Sequence, residues 1–127
     1  MNNLFEFKTL QKKYDYLAPD GSEIRLLPTL EKGGLCHCTL PVGMTSSAVK
    51  HKTVDEVWYC LSGSGSIWQE NNEETKVKDF TCGDCFSIPV GCSFQFKNIG
   101  SEPLCIIIST MPKWPGADEA IKVDGIW

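Results

Sequence analysis

GMTSSAVKHKTVDEVWYCLSG, residues 43–63, is the stretch whose reading decides the fold. Its right half, Val57 to Leu61, is an aromatic and apolar run of strand length. Ala48 to His51 is a second, shorter extended segment. Between the two runs stand His51 and Glu56, the one histidine–carboxylate pairing beside an apolar run in a chain with two histidines. Downstream, GDCFSIPVGCSFQFKN, residues 83–98, repeats the plan of glycine, apolar segment, Pro89, Gly91 and aromatic strand.

Outward from these blocks, the chain reads as short strands separated by Gly, Pro and Asn turns. Ser22 to Leu27 alternates and is expected to stop at Pro28, and Leu35 to Leu40 follows the turn EKGG. SGSGS, residues 62–66, predicts a tight connection, with Ile67 to Gln69 continuing as a hairpin partner. Val77 to Phe80, Cys85 to Ile88, Phe94 to Phe96 and Leu104 to Thr110 complete the set. LCIIIST, residues 104–110, is apolar without a break, which places it in the middle of a sheet. Residues 1–16 carry Leu4, Phe5, Phe7 and Leu10 and read as an edge strand or a short helical turn. Residues 117–123 hold at most two helical turns, and Trp114 and Trp127 are anchors in a Pro- and Gly-rich tail. The expectation is an all-β fold, sandwich or barrel, in a single domain over 1–127, with its body at about 22–110 and both termini packed outside.

Composition narrows the function. The 127 residues carry a formal net charge of -4, with Lys and Arg spread singly, so no basic stripe offers itself to nucleic acid. No run approaches the roughly 20 apolar residues that span a bilayer, and the N-terminus lacks an apolar signal core. A cytoplasmic protein is expected, without nucleic-acid or membrane partners. Seven cysteines, an odd number, fit a disulfide framework poorly. Most sit in apolar runs, where a reduced thiol behaves as a small hydrophobe. The C-x-x-C of Cys82 and Cys85 is followed by no helix, as a redox motif would want.

The two blocks resemble the paired motifs of the cupins. Gly43 opens the first motif and Gly63 closes it, Glu56 stands at the glutamate and His51 at the second histidine, while Val49 holds the first histidine position. In the second motif Gly83, Pro89, Gly91 and Asn98 fall in register, and Phe94 holds the histidine position. The chain also resembles a subgroup of small bacterial cupin-like proteins through AVKHKTVDEVWY, IPVGCSFQF and MPKWPG, a subgroup in which Val49 and Phe94 are expected. The resemblance implies a double-stranded β-helix, the jelly-roll cupin barrel. It also implies a homodimer formed through edge strands or N-terminal strand exchange, for which Leu4, Phe5 and Phe7 give a local reason.

Alternation makes Val49 and His51 face the same way. By the resemblance that way is inward, together with Glu56, Phe94 and Phe96, and Trp58 and Cys60 share the parity of Glu56. The expected site is an aromatic-lined pocket for a small organic molecule. His51 and Glu56 are its paired catalytic candidates, and His37, Val49, Trp58, Cys60, Phe94 and Phe96 are its ligand-binding candidates. Isomerase- or epimerase-like acid–base chemistry without a cofactor is one reading. A second is a metal enzyme (dioxygenase, cyclase or isomerase) holding one divalent Fe, Zn, Mn or Ni on His37, His51 and Glu56. That reading requires His37 and Thr39, rather than Cys36, Cys38 and Leu40, to be the inward face of their strand. A sensory ligand-binding domain and a structural dimer module are the remaining readings.

Overall fold

The computed structural model describes residues 5–127. Its strands are β1 (Tyr16–Leu17), β2 (Glu23–Leu30), β3 (Gly33–Leu40), β4 (Val49–His51), β5 (Asp55–Ser62) and β6 (Ser64–Glu70). They continue with β7 (Thr75–Thr81), β8 (Cys85–Ile88), β9 (Ser93–Asn98), β10 (Leu104–Met111) and β11 (Ala120–Lys122). A single 3-10 turn, Ala117–Glu119, is the only helical element among the described residues, so no described helix is long and apolar enough to cross a membrane. Residues 5–15 form neither the edge strand nor the helical turn expected of them, and Leu4 lies outside the described residues.

The strands make a six-stranded sheet, in the order β1-β2-β3-β10-β5-β8, and a five-stranded sheet, β11-β4-β9-β6-β7. The unbroken apolar run is β10, and it lies between β3 and β5 as its composition demands. Each sheet keeps two free ends, β1 and β8 in one and β11 and β7 in the other. Neither is closed or strongly curled. The jelly-roll barrel expected from the motifs is therefore corrected to an all-β fold of two open sheets. The reason is physical: alternation dictates which side chains point inward, while closure requires backbone hydrogen bonds between end strands, which alternation does not specify.

What joins the sheets is side-chain burial. Ile24, Cys38, Leu40, Trp58, Cys60, Ile88, Leu104, Ile106 and Ile108 from the six-stranded sheet pack with Val49, Ile67, Phe80, Phe94 and Phe96 from the other. Trp58 is at the centre, with ring centroids 5.6 Å from Phe94, 4.9 Å from Phe96 and 5.5 Å from Phe86. Each such side chain contributes about 1.5–3 kcal/mol by leaving water, and the edge-on geometry adds to that.

Two connections depart from the sequence reading. Pro28 does not end its strand: β2 runs on to Leu30, with an irregularity in its pairing to β3 between Leu26 and Thr29. A proline is tolerated there because β1 covers β2 only at Glu23 and Ile24, leaving the edge beside Pro28 without a strand to bond. The 62–66 connection is shorter than expected. Gly63 alone separates β5 from β6, and the chain changes sheets at that residue. Its φ is 83°, and a Cβ there would stand 2.7 Å from the Pro103 carbonyl oxygen. Only glycine fits both conditions. The hairpin partner of β6 is β7.

Candidate functional site

Between the sheets lies a cavity of about 580 Å³. Its floor is built by β5 and β10. Glu56 on β5 is opposite Thr110 on β10, and Trp58 is opposite Ile108, so two rungs separated by the Val57–Ser109 pair present an acid, a hydroxyl, an indole and an aliphatic chain to the same space. Val49 and His51 come from β4, and Phe94, the cross-strand partner of Val49, from β9. The remaining wall is the C-terminal tail. β11 pairs with β4, placing Ala120 against His51, and Trp114, Gly116 and Ala117 line the opening. The tail expected outside the body thus extends a sheet and helps to enclose the cavity.

Glu56 is 6% exposed. The Trp58 indole N–H donates to its Oε1 at 3.0 Å, and the Thr110 hydroxyl donates to its Oε2 at 2.9 Å. Burial nevertheless pushes the carboxyl up from 4.5 to about 7. The two donors pull it back, and Asp20 and Glu119 add to the rise. His51, 5% exposed, packs edge-on against Phe94 at 5.3 Å and Trp114 at 5.1 Å. Burial lowers it from 6.5 to about 4, opposed by Glu119, so it is neutral at physiological pH. Its Nδ1 is buried without a hydrogen-bond partner.

The expected His51–Glu56 pair is not formed. Glu56 takes its hydrogen bonds from Trp58 and Thr110, and the carboxylate acting on His51 is Glu119. Glu119 is buried on the 3-10 turn, where it accepts from the Thr53 and Val54 backbone N–H groups and from the Thr53 hydroxyl. It thereby ties the tail to the loop between His51 and Glu56. Cys36 also lines the cavity, and burial pushes its thiol up to about 12, so it is no nucleophile near neutrality.

Of the expected ligand-binding residues, Val49, Trp58 and Phe94 line the cavity together with His51 and Glu56. Phe96 and Cys60 are fully buried in the packed core and do not reach its wall. His37 is turned away. Cys36, Cys38 and Leu40 are the inward face of β3, while His37 stands beside Arg25 of β2 on the outer face. The metal set of His37, His51 and Glu56 is therefore not assembled. Val49 and Phe94 have no lone pair to offer, and no three His, Cys, Asp or Glu side chains cluster among the described residues. These residues do not fit a divalent ion.

Sequence reading missed Thr110, Asp20, Glu119, Trp114, Tyr16 and Cys36, all near the site. Thr110 had a signal: it shares the parity of Ile106 and Ile108 along an apolar strand, an inward position for a hydroxyl that must find a partner. Asp20, Trp114 and Glu119 lie on connections whose course local pattern does not fix, while Tyr16 and Cys36 come from β1 and β3, whose inward faces alternation alone left open.

A family model for the cupin domain matches residues 36–110. An uncharacterized protein of Methanocaldococcus jannaschii is 33% identical over 127 residues, covering 93% of this chain and 98% of its own. Among solved structures, a protein of Shewanella oneidensis superimposes with a TM-score of 0.73 at 18% identity, over 85% of this chain and 77% of that one. The oxalate decarboxylase of Lactobacillus farciminis, in a formate complex, gives 0.71 at 18% identity over 88% of this chain. This chain spans only 33% of that decarboxylase, and at such identities the likeness is one of fold.

Proposed function

Because the chain belongs to the cupin family, we propose that it binds a small organic molecule in the cavity between its sheets, with Glu56 and His51 as the polar groups that meet it. The observation that carries this reading is Glu56 itself, a buried carboxyl held on two hydrogen bonds in the wall of an otherwise aromatic and aliphatic space. A cavity of about 580 Å³ suits a small-molecule ligand. Burying an acid without a cationic partner is costly to the fold, and a cost of that kind is characteristic of functional positions.

Where turnover occurs, it is proton transfer of the isomerase or epimerase kind. Glu56 near pH 7 exchanges its proton with little energetic preference, which is the condition for a general acid or base. His51 serves as a neutral hydrogen-bonding group rather than as the partner of Glu56. The homodimer belongs to the same proposal. Its surface is the outer face of the six-stranded sheet, where Val57, Tyr59 and Leu61 stand exposed and Tyr59 neighbours Ile107. That strip is apolar and uncharged, so it matches itself across a two-fold axis.

The test is a thermal-shift screen of small organic molecules on the wild type and on Val49→Trp, which fills the cavity. Compounds that raise the wild-type midpoint and lose that effect in the variant support the reading. Equal shifts in both proteins place binding elsewhere and overturn it.

A further inference from the structure

We propose that the cavity takes a protonated organic amine, with its ammonium group against Glu56 and its apolar body among Trp58, Phe94 and Trp114. This inference rests on the small-molecule reading above and specifies the charge of the ligand.

The first argument is the missing cation. Glu56 is 6% exposed, and both its hydrogen-bond donors, the Trp58 indole and the Thr110 hydroxyl, are neutral. Among the described residues the one ion pair is Lys113 with Glu31, at 3.2 Å on the surface, so no Lys or Arg side chain is salt-bridged to Glu56. The indole N–H can only donate, which fixes Oε1 as an acceptor. Once Glu56 ionises, near pH 7, no cation of the chain neutralises it, and an arriving ammonium group would supply the missing charge.

The second argument is the neighbourhood. Asp20 lines the same cavity, its Oδ1 taking the Ser22 N–H and hydroxyl, and Glu119 lies close enough to act on both Glu56 and His51. The field inside is negative. A carboxylate or phosphate would meet two acids there, Glu56 and Asp20, with Glu119 behind the wall, and at the mouth it would find only the exposed Lys8 besides the already paired Lys113. A neutral ligand would offer nothing to the carboxylate that Glu56 becomes as pH rises through about 7.

The third is independent of the acids. His51 is 5% exposed and lines the cavity, its buried Nδ1 has no hydrogen-bond partner, and as a neutral imidazole it has one ring nitrogen free to accept from an ammonium N–H. The aromatic rings of Trp58, Phe94 and Trp114 line the same space, and aromatic surroundings favour a desolvated cation. Tyr16 and Cys36 also face Glu56, and both are held in their neutral forms.

Three probes of one shape decide the matter: benzylamine, benzyl alcohol and benzoate, titrated calorimetrically into the wild-type protein at neutral pH. The expected order is benzylamine first, about tenfold or more tighter than benzyl alcohol, with benzoate weakest. Glu56→Gln should lower benzylamine affinity by about tenfold or more and leave benzyl alcohol within about twofold. Benzyl alcohol or benzoate binding as tightly as benzylamine overturns the ammonium assignment and leaves the small-molecule reading standing. So does benzylamine binding that Glu56→Gln leaves unchanged. If none of the three binds, the ammonium assignment falls, and the small-molecule reading is decided by the thermal-shift screen on the wild type and Val49→Trp. The wild-type comparison needs no variant, so the inference stays testable even where Glu56→Gln fails to fold.

Discussion

Taking a carboxyl out of water disfavours its charged form, and each hydrogen bond donated to it favours that form. At Glu56 burial wins, and the group moves from 4.5 to about 7. Between those pH values the folded chain keeps a proton that the unfolded chain has lost. The stability Glu56 contributes is therefore complete below pH 4.5 and is lost as pH rises through about 7. His51 runs the other way. Its drop from 6.5 to about 4 means that the unfolded chain holds the extra proton, so its contribution is complete above pH 6.5 and is lost as pH falls through about 4. Each effect is on the order of 3 kcal/mol. They oppose each other between pH 4.5 and 6.5 and nearly cancel. Glu56→Gln should leave a stability that rises with pH across that window, and His51→Gln one that falls, while the wild type stays comparatively flat. Urea midpoints measured against pH check this, and parallel profiles for all three proteins would contradict it. Asp20, Glu119, Tyr16 and Cys36 are common to the three proteins, so the differences isolate the two groups.

Both residues were expected to point inward by the cupin resemblance, and in the structure they stand on β4 and β5 and line the cavity. Their partners were not. Thr110 is 54 positions from Glu56 and meets it only because β10 pairs with β5. Proximity in sequence suggested His51 instead, and proximity in sequence carries no information about strand pairing.

Among elements, the single-residue junction at Gly63 and the returning tail matter most. Gly63→Ala forces a Cβ to within 2.7 Å of the Pro103 oxygen and 2.9 Å of the Leu104 Cα, at a φ that alanine rarely adopts. The variant should lose about 2 kcal/mol or more in urea unfolding, and an unchanged midpoint would show that the junction relaxes freely. Glu119→Gln, which replaces one acceptor oxygen with a donor, should loosen the tail from Thr53 and Val54 at a cost of about 1–3 kcal/mol. Faster hydrogen exchange at Thr53 and Val54 would report it, and unaltered protection there would refute the tether. Strand positions could be read from apolar runs and turn residues. The tail could not, because AIK at 120–122 is too short and too mixed to declare itself a strand until β4 offers it an edge.

For the whole molecule, two-sheet packing follows from alternating strands with aromatic inner faces, whereas the open ends depend on which strands meet at the margins. The exposed outer strip of β5 carries the dimer prediction. Sedimentation equilibrium should give twice the chain mass of 14.1 kDa, and Tyr59→Asp should dissociate it; a monomer at every concentration would contradict the proposed face. The central claim, that the cavity beside Glu56 and His51 is where a ligand binds, has a built-in reporter. Of the chain's four tryptophans, Trp58 and Trp114 line the cavity and Trp68 and Trp127 do not. The deciding measurement is the indole N–H region of a 15N–1H NMR spectrum during titration with benzylamine. The account predicts saturable shifts of the Trp58 and Trp114 signals, with Trp68 and Trp127 fixed, and it is contradicted if Trp58 and Trp114 stay in place at every concentration or if Trp68 and Trp127 move with them.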